Sequence, residues 1–467
     1  MPDNPFDKSV TILDERVEVT NEAAIASPAM DRLVHAAVFA GAEERDFARW
    51  LIWEIGQSVG VQPASIHALY MARGEGKTGG FTVPAMNIRG MSYDTARALF
   101  RAAVRLKVGA LILEIARSEI AYTEQRPAEY VTVMLAAALR EGFRGPLFIQ
   151  GDHFQVNSKK FAVDPVTEVN GVKQLIREAI AAGFYNIDVD TSTLVDLSRP
   201  TLEEQQRTNY EQAVDLALAV RDLEPPGVTI SIGGEIGEVG TENSTVEELR
   251  TYMDGFNATL EKTAPGTVGL SKISVQSGTT HGGVVLADGS IADVKIDFDT
   301  LATLSKVAKD DYGLSGAVQH GASTLPDTAF NNFPRTETAE IHLATNFQTM
   351  LYDNISTALR NEIYDWLRVN AKDERKSSDT DEQFFYKTRK KALGPFKQRF
   401  WELPSDVKNS LSAAYEEKFS FLFTQLAVAN TAETVRRFVK PVEQHKPRPH
   451  AGLATVEAAP DDADLSD

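Results

Sequence analysis

Pro-Leu-Phe-Ile-Gln-Gly-Asp-His, residues 146–153, joins an apolar run of strand length to a glycine, an acid and a histidine. The same order recurs along the chain. YNIDVDTS (185–192) is a strand candidate that closes on Asp188 and Asp190, and VTISIGGE (228–235) closes on Glu235. KISVQSGTTHGG (272–283) runs into His281, LSGAVQHGAS (314–323) into His320, and EIHLATN (340–346) carries His342. With Phe81–Ala85 and Ala110–Ile115 these make eight strand candidates: 81–85, 110–115, 146–150, 185–189, 228–232, 273–276, 314–319 and 340–343. Helical periodicity fills most of the gaps, at 96–106, 129–141, 172–182, 202–223 and 300–308. Continuous apolar strands alternating with helices signal a parallel sheet covered on both faces. Eight such units within a span typical of a (β/α)₈ domain, about 250 residues, predict an α/β fold, a closed (β/α)₈ TIM barrel. A doubly wound open sheet is the structural alternative. No internal repeat of roughly 20–50 residues is present.

Outward from this core the pattern turns helical. From Ala29 to Gly74 apolar residues recur at helical spacing, with Phe47, Leu51, Ile52 and Ile55 on one face. Ser65–Arg73 reads as a further short helix stopped by Gly74. Beyond the barrel Val407, Leu411, Tyr415, Phe419, Leu422 and Leu426 form one stripe. The final stretch from Pro447 lacks periodicity and carries acid and proline, a disordered composition. The expected division is a helical extension at 1–78, the barrel at 79–350, a helical region at 351–440 and a disordered tail at 441–467.

Of 467 residues 43% are hydrophobic, enough for a large core, and the net charge of -18 argues against unaided binding to nucleic acid or an anionic membrane. The first thirty residues lack a basic segment followed by a long apolar run, and no apolar stretch approaches the roughly 18 residues of a membrane span. A cytoplasmic protein is the expectation. With no cysteine, disulfides and thiolate metal sites are excluded, so any metal must be held by His, Asp or Glu.

In a barrel, chemistry sits at the C-terminal ends of the strands. Six of the eight candidates carry His, Asp or Glu there, although the chain has only eight histidines. His153, His281 and His320, each beside Gly or Asp after a strand, form a neutral imidazole set suited to zinc with an open coordination position. For any one of them a hydrogen-bonded structural role is the alternative. Gly282, Gly321 to Ser323, and Thr345 with Asn346 let backbone N–H groups approach a phosphate, as the last two loops of barrels often do.

Together these segments resemble the class II, metal-dependent fructose-bisphosphate and tagatose-bisphosphate aldolases. The resemblance rests on GFTVPAMNIRG, GDHFQ, NIDVDTSTL, EIGEVGTEN, SGTTHGG, QHGAS, IHLATNFQ and FFYKTR, in order, from about Gly80 to Gln425. It implies that His153, His281 and His320 hold a catalytic zinc and that Asp152 exchanges the proton of the C4 hydroxyl. It implies that Glu235 and Asp188 stand at positions associated with alternative or second metal binding, divalent or monovalent. It further implies that Gly282, Gly321, Ser323, Thr345 and Asn346 cradle the phosphate of the dihydroxyacetone-phosphate half, and that Arg389 reaches a second phosphate from a neighbouring subunit. The expected partner is a phosphorylated sugar, and the expected assembly a homo-oligomer of two or more chains. Aldol cleavage leaves negative charge on a carbonyl oxygen; with no lysine Schiff base, zinc can absorb it by coordinating the enediolate, while a carboxylate takes the hydroxyl proton.

Four positions depart from the family pattern. Gln150 stands where a histidine is usual, His342 where an asparagine binds substrate, and Ala116 where a serine serves the far phosphate. The loop acid is offset, with Glu242 present and Asn243 one place on. Glu242 and His342 are retained as candidate acid/base groups. Two alternatives stay open: a metal-dependent sugar-phosphate epimerase or isomerase on the same fold, and a non-catalytic aldolase-like subunit.

Overall fold

The protein is described from a computed structural model that covers residues 4–237, 242–278, 286 and 296–449. Eleven strands are defined in chain order among these: β1 (Val10–Leu13), β2 (Arg16–Val19), β3 (Val61–Ala64), β4 (Val83–Asn87), β5 (Ile112–Ala116), β6 (Gly145–Gln155), β7 (Asn186–Asp190), β8 (Ser231–Glu235), β9 (Lys272–Val275), β10 (Ala317–Gln319) and β11 (Glu340–Leu343). Strands β4 to β11 pair in the order β6-β5-β4-β11-β10-β9-β8-β7, and β7 returns to β6, so the sheet closes into an eight-stranded barrel. Every pairing within it is parallel. The (β/α)₈ expectation is met, and all eight expected strands fall on barrel strands, because barrel strands are buried on both faces and read as apolar runs.

One crossover helix escaped the sequence reading, Val246–Thr263 between β8 and β9. It begins with a capping box, in which Thr245 accepts from the Glu248 N–H and Glu248 accepts from the Thr245 N–H. Its buried face carries Leu249, Tyr252, Met253, Phe256 and Leu260, the spacing of an amphipathic helix.

The N-terminal region is not wholly helical. Val10–Val19 forms an antiparallel hairpin whose turn is made by Asp14 at φ 59. Strand β3 adds in parallel to the lower half of β6, pairing Val61 to Ala64 with Gly145 to Phe148. Neither RVEV of β2 nor VQPA of β3 is the apolar block that marked the barrel strands. The helix His67–Gly74 then crosses the N-terminal end of the barrel and plugs it with Arg73. The buried guanidinium donates to the carbonyls of Ser315 (3.0 Å), Glu337 (3.1 Å), Thr338 (3.0 Å) and Phe81, just ahead of β10, β11 and β4.

Residues 441–449, expected to belong to a disordered tail, are held against the N-terminal helices. Trp50 and Trp53 of the helix Ala42–Val59 donate their indole N–H groups to the carbonyls of Lys446 (3.0 Å) and Gln444 (2.5 Å), and Glu54 accepts from the Lys446 N–H. Backbone hydrogen bonding to buried aromatic side chains replaces the missing periodicity. No described helix is long and apolar enough to cross a membrane.

Candidate metal centre at the barrel mouth

The site begins with an irregularity in β6. Against β7, Gln150 pairs with Asn186 and Gly151 with Ile187, but Phe154 then pairs with Val189, so the register shifts between Gly151 and Phe154. In a regular strand Asp152 and His153 would face opposite sides. Here His153 takes φ 40, a left-handed conformation costly for a residue with a Cβ. The glycine is required: a Cβ on Gly151 would stand 2.5 Å from the Phe154 ring, which the kink folds back over it. The result is a strand end that presents two adjacent polar side chains to one place.

His153 Nδ1 lies 2.8 Å from Asp190 Oδ2 and 3.4 Å from Glu235 Oε2. A carboxylate on Nδ1 fixes the tautomer with Nε2 as the available lone pair, the usual arrangement behind a metal-bound imidazole. His320 stacks beside it, ring centroids 4.3 Å apart, and its Nε2 lies 3.0 Å from Ser274 Oγ. Ligand atoms of Asp152, His153 and His320 all lie within 4.8 Å of one another, and so do those of His153, Asp190 and Glu235. Nitrogen and carboxylate donors at this spacing fit a zinc-like divalent ion. Burial and the neighbouring Asp190 push the Glu235 carboxyl up to about 8 against the pull of His153. Burial opposes the charged form of His153, yet Asp152, Glu235 and Asp190 outweigh it and hold the imidazole well above its ordinary range. So many acids around two histidines want a cation.

Asp152 is held from two further sides. Asn87 Nδ2 donates to its Oδ2 (2.8 Å), and His342 Nδ1 lies 3.1 Å from its Oδ1. Although buried, the carboxyl is kept well below its usual range by His153 and His342. His342 also faces Glu114 Oε1 (3.1 Å) and Glu340 Oε1 (2.8 Å). Carboxylate oxygens lie against both ring nitrogens, so the network assigns a proton to each.

Below this layer the barrel interior is polar. Lys272 Nζ donates to Gln150 Oε1 (2.8 Å), Asp188 Oδ2 (3.0 Å) and Glu340 Oε1 (2.5 Å). Gln150 in turn donates to Glu114 and Glu340, and Tyr70 to Glu340. Gln150, in the place of a family histidine, is therefore a strut in this network. Asp188, expected among the metal ligands, lies against Lys272, and Asp190, two residues on, is the acid of β7 that reaches His153.

The remaining expected residues separate. Ser323 accepts from the Ala344 N–H, and Gly321 takes φ 70 at the turn before it. Thr345 and Asn346 are half-buried in the first turn of the helix Thr345–Asn354 beside it. This pairs a helix N-terminus with a hydroxyl turn. Glu242 is exposed, at the edge of the described residues and outside the gathered set. Arg389 is buried within its own chain, its guanidinium over the rings of Tyr386 (4.4 Å) and Tyr352 (5.3 Å) and donating to Thr349 (2.7 Å). At Ala116 the backbone N–H donates to Glu119, which also accepts from Asn87 and Arg89. His281 and Gly282 lie outside the described residues.

The sequence reading missed Lys272, Glu114, Glu340, Asn87 and the structural use of Gln150. The available signal was a charged residue inside an apolar strand: Glu114 in ALILEI, Lys272 in KISV and Glu340 in EIHL.

The family model for class-II fructose-bisphosphate aldolase matches residues 73–399, well over half of the chain. No curated protein is a match to this sequence. Solved structures of the same fold include the fructuronate-tagaturonate epimerase UxaE from Cohnella laeviribosi, at 12% identity, with 90% of this chain and 93% of that chain covered and a TM-score of 0.56. The YdjI aldolase from Escherichia coli K12 is similar at 13% identity over 79% of this chain and 99% of that chain, TM-score 0.48. A fructose-bisphosphate aldolase from Campylobacter jejuni is similar at 17% identity over 77% and 93%, TM-score 0.46. At 12% identity the likeness to the epimerase is one of fold.

Proposed function

We propose, from the premise that the chain belongs to the class-II fructose-bisphosphate aldolase family, that it is a metal-dependent aldolase. It reversibly cleaves a ketose 1,6-bisphosphate of the fructose or tagatose type to dihydroxyacetone phosphate and an aldehyde. The observation that carries the reading is the kink of β6, which delivers Asp152 and His153 together against His320. A divalent ion, taken here as zinc, would be held by His153 and His320 with His281, and would supply the Lewis acid for charge developing on the substrate carbonyl oxygen.

The chain's own groups do the rest. Asp152 takes the C4 hydroxyl proton in cleavage and returns it in condensation. Asn87 and His342 fix the carboxylate from two sides, which removes the need to reorient it during the reaction. The N–H groups opening the helix at Thr345, with Ser323, receive the phosphate nearer the carbonyl. Arg389 serves the far end, and Ala116 offers no hydroxyl there. Lys272 is held as an ammonium by Asp188 and Glu340 against the pull of burial, so its lone pair is not offered to a carbonyl. The protein acts in the cytoplasm as a homo-oligomer, on sugar phosphates and not on nucleic acid or membrane, and the barrel is bounded near residues 79 and 350.

The zinc-loaded protein should release triose phosphate from fructose 1,6-bisphosphate or tagatose 1,6-bisphosphate. No release from either, or from ketose monophosphates, would refute the lyase reading. A second reading, epimerase, is favoured by His342, a protonated imidazole 3.1 Å from Asp152 where the family pattern has an amide. It predicts an epimeric ketose without triose phosphate in the same assay.

A further inference from the structure

Two donor sets are stacked inside the barrel. The upper one, at the strand ends, is Asp152, His153 and His320 with Asp190 and Glu235. The lower one is Asp188, Glu340 and His342, whose ligand atoms also lie within 4.8 Å of one another. Among the described residues, the lower set alone is met by an ammonium. Lys272 Nζ lies 2.9 and 3.0 Å from the two oxygens of Asp188, 2.5 Å from Glu340 Oε1 and 2.8 Å from Gln150 Oε1. These oxygens come from β7, β11 and β6 and surround the ammonium from several sides.

Two carboxylates and an imidazole buried together cannot all stay in place without compensation, since isolated buried anions are strongly disfavoured. A divalent ion or a fixed ammonium can supply the charge. The charges then have different consequences for the layer above. A metal ion in the lower set would claim His342 Nε2 and break its contact with Glu340. The ammonium has no ligand sphere to fill, so Glu340 keeps His342 by its Nε2 (2.8 Å) and the other ring nitrogen stays on Asp152.

We propose that Lys272 is a built-in cation, which takes the place of a second metal ion in the lower donor set, restricts the chain to one divalent ion at the strand ends, and keeps His342 on Asp152. This rests on the reading above only for the identity of the ion at the upper set; the occupancy of the lower set is read separately, as the difference between variants.

Lys272→Met keeps the volume and removes the charge, and Lys272→Gln keeps a hydrogen-bond donor as a milder change. Both, with the wild-type chain, are dialysed against excess Co²⁺ near pH 8, checked for folding by circular dichroism and size, and their metal counted by plasma mass spectrometry. The expected result is one more ion per chain in a folded Lys272→Met or Lys272→Gln protein than in the wild type. Adding Asp188→Asn to the same background should remove the extra ion, and Lys272→Arg should not gain one. A folded charge-deleted variant with the wild-type count overturns the proposal, and so does a wild-type chain that already holds two ions. A wild-type count of zero would instead refute the metal reading of the upper set.

Discussion

Asp152→Asn separates proton transfer from metal binding. Asp152 accepts from Asn87 through Oδ2 (2.8 Å) and faces His342 through Oδ1 (3.1 Å). The amide has the same shape but one acceptor oxygen. It can accept from Asn87 and turn its NH₂ toward His342, which then keeps only Glu114 as acceptor at Nδ1. The structural cost is one hydrogen bond between charged groups, about 1.5–3 kcal/mol, partly offset by removing an anion from a crowded acidic layer. The chain should fold, and the histidines should keep their metal. The catalytic cost is larger. Loss of a positioned general acid/base lowers the rate by about 10²–10⁴, equivalent to roughly 2.7–5.4 kcal/mol of transition-state stabilisation. The loss should fall on kcat, with KM little changed, because the phosphate contacts are elsewhere. Triose phosphate release coupled to a dehydrogenase gives the rate, and metal analysis of the same sample gives the occupancy. Unchanged turnover at normal metal content would refute the assignment of Asp152; loss of both activity and metal would make it a ligand instead.

Single His153→Ala, His320→Ala and His281→Ala variants should each lose most of their bound zinc, and full stoichiometry in all three would sink the metal centre. Arg73→Met should leave four carbonyls at the base of the barrel without their guanidinium, costing about 3–5 kcal/mol and lowering Tm by roughly 3–5 °C for a chain of this size; an unchanged melting curve would show that water replaces the plug at no cost. Asp31 is half-buried, and although burial opposes its charge, Arg140, Tyr93 and Arg97 hold its carboxyl below the usual range. A depressed carboxylate stabilises fully above its unfolded pKa of about 3.9 and loses that contribution as pH falls through the lower folded value. The Tm gap between wild type and Asp31→Asn should therefore be constant near neutrality and narrow in acid, and a gap that widens in acid would contradict this.

The barrel was legible because its strands are buried on both faces and apolar at most positions. Once a strand is buried on both sides, its sequence is a short apolar block, and eight blocks with helices between them leave few folds to consider. The strand-end residues were legible for the complementary reason: Asp152, His153 and His320 interrupt the chain where an apolar block stops. Depth was not legible. NIDVD presents Asp188 and Asp190 to the same side of β7, and only the register of neighbouring strands decides which one meets His153 and which one meets Lys272. The hairpin at Val10–Val19 and β3 were missed because RVEV and VQPA are not apolar blocks, and the helix Val246–Thr263 although its capping box stood in the sequence.

Charges inside the blocks carry the further lesson. Glu114, Lys272 and Glu340 place charges in the otherwise mainly apolar strands β5, β9 and β11, the last shared with His342. Taken one at a time, each weakens the case for its strand. Taken together they strengthen the case for a barrel, since an open sheet would have to neutralise them separately, whereas a closed one brings non-adjacent strands face to face across its axis. Lys272 of β9 reaches Glu340 of β11 and Gln150 of β6, neither of them a neighbour of β9 in the sheet, and Gln150 reaches Glu114. Burial drives Glu114 up to about 8, while Lys272 and His342 outweigh burial at Glu340 and draw it down to about 2. Glu114 and Glu340 are thus shifted in opposite directions although both accept from Gln150. His342 lies between them and against Asp152, so the residues that looked like flaws in the strands surround the histidine on which the strand-end acid rests.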